Sequence, residues 1–123
     1  MTLESVIRTA LVGDANINAI IGDRAYPLLI PQDAAYPAIA YQRISGKNLR
    51  SHDGADSLEN VRVQLTLVAE SFEMVKNLEK EVNRVLDGKK IGDLTVFIEN
   101  RTDDVSGNGL VWSERIDLKI LYG

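Results

Sequence analysis

The sequence predicts an α+β fold: a four-stranded, mainly antiparallel sheet with a long helix and short N-terminal helices packed on one face. Three observations carry this. Leu3, Val6, Ile7, Ala10 and Leu11 recur at helical spacing. Val61, Val63, Leu65 and Leu67 alternate with Arg62, Gln64 and Thr66, which is a strand with one buried face. Between that strand and a final pair of strands, Phe72, Val75, Leu78, Val82, Val85 and Leu86 form one apolar stripe of a long helix. The 123 residues fit a single domain spanning 1–123.

In chain order, Thr2 caps the first helix, Glu4 suits its first turn and Gly13 its end. Asp14 caps a shorter helix with Ile17, Ile20 and Ile21 inward and Gly22 as the stop. Gly22-Asp23-Arg24 turns the chain. Tyr26-Pro27, Ile30-Pro31 and Tyr36-Pro37 then hold it extended, because a residue before proline is pushed out of the α region. A strand follows over 38–45, with its proline at the entry. Residues 46–58, rich in turn formers, read as a long exposed loop.

Ser71 and Glu73 open the long helix, and Gly88 fits its C-terminal cap with Lys89 and Lys90 near the negative end of the dipole. Glu81 and Arg84 make an i, i+3 pair worth ~0.3 kcal/mol, which the like charges of Lys80 and Arg84 offset, so the apolar stripe decides this helix. Residues 94–99 read as a strand and Asn108-Gly109 as a tight turn. The last strand, 110–122, places Trp112, Ile116, Leu118, Ile120 and Tyr122 on one face, interrupted by Glu114 where the strand is expected to project beyond the core. Each strand pair is expected as an antiparallel hairpin, joined by a helical crossover.

Composition narrows the function. Net charge is -4, so the surface as a whole is not built to attract nucleic acid. Without cysteine, disulfides, thiolate catalysis and cysteine-ligated zinc are excluded, and a reducing compartment is compatible. No apolar run approaches the ~18 residues of a membrane span. The N-terminus lacks a basic region ahead of its apolar residues and does not read as a signal peptide.

No catalytic inventory appears. His52 lies beside Asp53, where a base–carboxylate pair is conceivable. The plainer reading is a solvated loop residue, since no nucleophile motif accompanies it. Asp53, Asp56 and Glu59 lack the spacing of a calcium loop. Asp103, Asp104 and Asn108 lie in a turn, where such residues serve the backbone. Neither a Walker lysine motif nor GxGxxG is present. No enzyme activity, cofactor or metal is expected. Lys47, Asn48, Arg50 and His52 make the first half of the 46–58 loop locally basic. Repeated around a ring, such a loop would present cations to a passing duplex.

The order of these features resembles the tail-completion (tail terminator, head–tail joining) proteins of long-tailed bacteriophages and prophages. The likeness runs over almost the whole chain. It includes the apolar pair before Gly22-Asp23-Arg24, then Ala25-Tyr26-Pro27, Tyr36-Pro37 entering an apolar strand, Val63-Gln64-Leu65-Thr66-Leu67-Val68-Ala69, and Ala69-Glu70-Ser71-Phe72 at the helix junction. The resemblance implies a structural virion protein of the tail or neck, assembled in the host cytoplasm. It implies a ring, often hexameric, that ends the tail tube and docks to the head connector. Its partners are then other copies of itself, the major tail tube protein, the connector, and DNA passing through the lumen without sequence recognition. A closed ring needs two different patches per subunit. The 21–45 arm, with Asp23, Arg24, Tyr26, Pro27 and Tyr36, and the long last strand are the expected patches. Lys47, Asn48, Arg50 and His52 are the expected lumen or partner loop. Other readings left open are a different neck component (head-closure or minor tail protein), a small ligand-binding module on the same sheet, and an enzyme with its site in the 46–58 loop.

Overall fold

The structure is a computed structural model that describes residues 3–31, 33–50, 57–92, 94–105 and 111–122, with the strand path alone for 45–50, 57–59 and 122. Its elements in order are α1 (Leu3–Val12), α2 (Ala15–Ile21), β1 (Ala25–Pro27), β2 (Ala38–Arg50), β3 (Ser57–Ala69), α3 (Phe72–Leu86), β4 (Lys89–Ile91), β5 (Leu94–Val105) and β6 (Trp112–Tyr122). The α+β class and the one-faced packing hold. The sheet, however, has six strands in the order β1-β2-β3-β6-β5-β4. The two additional strands are β1 and β4, three residues each. A three-residue strand has no period to read, so Lys89 and Lys90 looked like helix-end cations.

β2–β3 and β5–β6 are antiparallel pairs as expected, and β3 and β6 join them, also antiparallel. β3 and β5 are both antiparallel to β6, so α3 links two strands that run the same way with β6 between them. β1 alone pairs in parallel, with β2. Residues 46–50 and 57–58 are not loop: the ladder runs from Ala38↔Val68 to Arg50↔Ser57, with a bulge between Arg43 and Ser45. The composition of this ribbon carried no alternation, and so it looked like loop. β5 likewise continues beyond 99 to Val105, after a bulge between Ile98 and Asn100. The cap expected of Thr2, the 51–56 part of the loop, the Asn108-Gly109 turn and the strand start at Leu110 lie outside the described residues.

One core forms where α1, α2 and α3 cover the sheet. Ile7 and Leu11 of α1, Ile17 and Ile21 of α2, and Val75, Leu78, Val82 and Leu86 of α3 meet the alternate residues Val61, Val63, Leu65, Leu67, Ile116, Leu118 and Ile120. Asp14 caps α2 through Asn16 N and Ile17 N, both at 3.1 Å. Its carboxylate also binds Arg84 at 2.7 Å, which ties α2 to α3. Gly13 closes α1 where a Cβ would stand 2.7 Å from the Thr9 carbonyl oxygen, so only glycine fits. Ser71 Oγ accepts from Met74 N and caps α3. Glu81 and Arg84 do pair, at 3.3 Å.

Three residues depart from their expected places. Phe72 is half exposed; it meets Trp112 edge-on with centroids 5.5 Å apart instead of entering the core. Glu114, expected where β6 leaves the core, is 2% exposed and faces the helices. Val85 is only partly buried.

These burials predict different costs for two truncations. Leu78→Ala removes a fully buried side chain and should cost about 2–5 kcal/mol in denaturant unfolding. Phe72→Ala should cost about 1 kcal/mol, the scale of one aromatic contact. Equal losses would contradict the placement of Phe72.

Candidate functional site

The 21–45 arm is built from the end of α2 outward. Arg24 donates from Nε to the Pro37 carbonyl at 2.9 Å and from Nη2 to Ile20 O at 3.1 Å. Arg8, on α1, donates to Ala25 O and Asp23 O, both at 3.1 Å. Each guanidinium binds backbone carbonyls of the arm and its flanks, and Asp23 O also accepts from Ala25 N at 2.8 Å. They fasten β1 beside β2 in the register Ala25↔Ile39 to Pro27↔Tyr41. The Tyr36–Pro37 peptide bond is cis. Arg24 is therefore engaged within its own chain, where it fixes the arm. Asp23 and Pro27 are exposed, and Tyr26 and Tyr36 are half-buried. These five residues lie together at the sheet edge formed by β1.

Just past them the chain exposes Leu28 at 63% and Leu29 at 79%. Leu28 has φ 68, a left-handed conformation that a leucine rarely adopts. It is held by Leu28 N donating to Tyr41 O at 2.9 Å and Leu29 N donating to Pro27 O at 2.8 Å. A strained backbone that presents apolar side chains to solvent points to a binding role. Beside it an open cleft of about 360 Å³ is lined by Glu4, Pro27, Leu28, Tyr41 and Arg43, among others. In sequence, Leu28 and Leu29 carry only the signal of an adjacent apolar pair in a segment with no helical or strand period.

Lys47, Asn48 and Arg50 lie in the far half of β2 and pair along β3. They sit at the opposite end of β2 from the arm, so the two expected sets do not converge. His52 lies outside the described residues.

A third cluster was not expected. Lys76 Nζ on α3 lies 2.7 Å from Asp103, 3.0 Å from Glu114 and 3.2 Å from Glu79, while Arg101 donates to Glu79 at 3.2 Å. The β5 bulge aims Arg101 and Asp103 at the helix face, where they stand opposite Ile116 and Glu114. Three carboxylates face two cations, so one carboxylate is unbalanced. Glu114 is that one. Its Oε2 is buried and receives no donor. Burial first, then the neighbouring Glu79 and Asp103 carboxylates, push its pKa up to about 8. The neutral acid can donate toward those carboxylates. Burial alone would raise Glu79, but hydrogen bonds from Glu114 and Lys76 hold it below its ordinary value. Asp103 is lowered by bonds from Glu114 and Lys76. Lys76 is raised by Asp103 above all. The cluster pins the distal half of β5 to α3.

The described residues thus offer a strapped edge strand, an exposed leucine pair and an ion-pair cluster with one buried carboxylate oxygen left without a donor. The family model for tail completion protein gp17 matches residues 5–122. The chain belongs to that family, whose members are structural proteins of the virion tail and not enzymes. Among solved structures, a chain titled "Virion of native gene transfer agent (GTA) particle" shares the fold at TM-score 0.77 and 14% identity, covering 98% of this chain and 95% of that one. No curated protein matches the sequence.

The cluster carries a pH dependence of defined sign. Glu114 is raised above its ordinary value of 4.5, so the folded chain holds an extra proton between about pH 4.5 and 8. Stability from this group is complete at the acid end of that window and falls as pH rises, by at most about 1.4 kcal/mol per unit. The lowered Glu79 and Asp103 contribute above their ordinary values and lose that contribution as pH falls through their lowered ones. Thermal melts from pH 5 to 8 should show a declining midpoint that Glu114→Gln flattens. The same slope in both proteins would show that Glu114 does not titrate there.

Proposed function

We propose that the chain ends the tail tube and joins it to the head connector as a ring of copies, assembled in the host cytoplasm. The observation that carries this reading is the family match over nearly the whole chain, and the virion title of the structural relative supports it. A ring needs two unlike patches on each subunit. One is the arm edge: Asp23, Tyr26, Pro27 and Tyr36 with the exposed Leu28 and Leu29, held in place by Arg24. Apolar side chains at this exposure are ordinarily covered when a partner docks. Lys47, Asn48, Arg50 and His52 face the lumen or the connector, and DNA passes without sequence recognition through phosphate contacts that add around the ring.

Purified chain mixed with polymerising tube protein tests the role. Tubes should stop growing at substoichiometric chain, and native mass spectrometry should find one closed oligomer, a hexamer being expected. Unchanged elongation, or binding to connector alone, would point to another neck component. Leu28→Gly combined with Leu29→Ser should leave the melting midpoint within a few degrees, because both side chains are exposed and glycine accepts a positive φ. It should weaken assembly at least about tenfold, the effect of ~1.4 kcal/mol. Parental assembly in this variant would remove the arm tip from the interface.

A further inference from the structure

The sheet's two outer strands are each guarded along only part of their length. β4 pairs with β5 only over Leu94–Val96, and β1 pairs with β2 only over Ile39–Tyr41. Over 97–105, β5 has no strand on its outer side among the described residues, and neither does β2 over 42–50. The β5 edge shows how it is kept quiet in a lone subunit. Ile98 N donates to Asp87 Oδ1 at 3.0 Å, Arg101 N to Asn100 Oδ1 at 3.0 Å, and Val105 N to Asp104 Oδ1 at 2.8 Å. Their spacing across the bulge is that of the N–H groups that point away from β6. Two of the three are covered by the side chain of the residue just before them, a local bond that any better partner can displace. An uncovered edge is a template for another strand.

β6 has no free edge to offer a partner, since β3 and β5 flank it on both sides. We infer that the free edge of β5 on one copy pairs with the free edge of β2 on the next, continuing the sheet from subunit to subunit; this rests on the ring reading above. Three observations favour a second copy over a foreign strand. The two free edges match in length. β2, β3, β6 and β5 are successively antiparallel, so β5 and β2 run opposite ways and would meet as an antiparallel pair. β4 and β1 guard the N-terminal ends of oppositely directed strands, so the free stretches lie at opposite ends of the sheet. Neighbours can then meet only with a stagger, and closing a sheet on itself requires a stagger. β1 and β4 act as stops that fix it. The two edges differ, so the contact is heterologous and can close a ring.

The chain has no cysteine, so introduced thiols report contacts without background. Assembled particles would combine chains carrying Thr102→Cys with chains carrying a cysteine at one position of 42–49, taken in turn, and then be oxidised. The expected result is an intermolecular disulfide between the two kinds of chain at one preferred position, which shifts by two residues when the first cysteine is moved from Thr102 to Asp104, the signature of a ladder. Val105→Pro removes one outward N–H without touching the β6 ladder. It should cut assembly at least tenfold and leave the monomer's circular dichroism unchanged, while Val105→Ala assembles normally. Rings that form without β5–β2 disulfides, or with disulfides to tube protein in their place, would overturn this inference and leave the ring intact. A chain that stays monomeric with tube protein present would overturn both.

Discussion

The antiparallel pairing of β3 with β6 is the constraint on which the rest depends. It runs from Glu59↔Tyr122 to Ala69↔Trp112 and joins two hairpins that lie on either side of α3 in the chain. Along it, Val61 faces Ile120, Val63 faces Leu118 and Leu65 faces Ile116, all buried against the helices. A one-residue slip would turn these rows to the open face, so the core fixes the register. The same register places Glu114 beside Leu67 in the helix-facing row. That position forces a charge into the core layer, and Lys76 meets it. With its partners removed, a buried carboxylate is costly; with Lys76 and a proton it is tolerated.

Much of this was legible because burial imposes a period. α1, α2, α3 and the core half of β3 each bury one face, and their residues recur accordingly. The capping residues Asp14, Ser71 and Gly22 were legible for a separate reason, since helix ends demand local chemistry, whereas Gly88 does not cap α3: Asp87 does, and Gly88 N turns to Val96 O. Strands without a dense apolar face were not legible. β1 and β4 are too short to repeat, and the outer halves of β2 and β5 have residues such as Lys47, Asn48, Asn100 and Thr102, which composition assigns to loops. Glu114 and Phe72 were misplaced for one reason. A period assigns a face but does not say where along the strand or helix the core begins and ends.

The functional reading was legible as an order of short motifs and not as any one residue. The family assignment bears out that order. The surface of the arm needed the structure. Arg24 stood out in sequence as part of a turn, yet its guanidinium is spent on Pro37 and Ile20. Leu28 and Leu29 did not stand out, because an exposed apolar pair and a buried one read alike. Two arginines and one leucine of positive φ together shape a surface that composition presents only as a proline-rich connection. Helices and central strands supply the core, while the strapped arm and the outer strand halves keep exposed apolar side chains and unpaired edges.

Electron cryomicroscopy of tail tubes assembled with the chain tests the central claim most directly. The account predicts one closed ring of copies at one end of each tube. Density for the chain scattered along the tube wall, or single copies at the end with no contact between them, would contradict it.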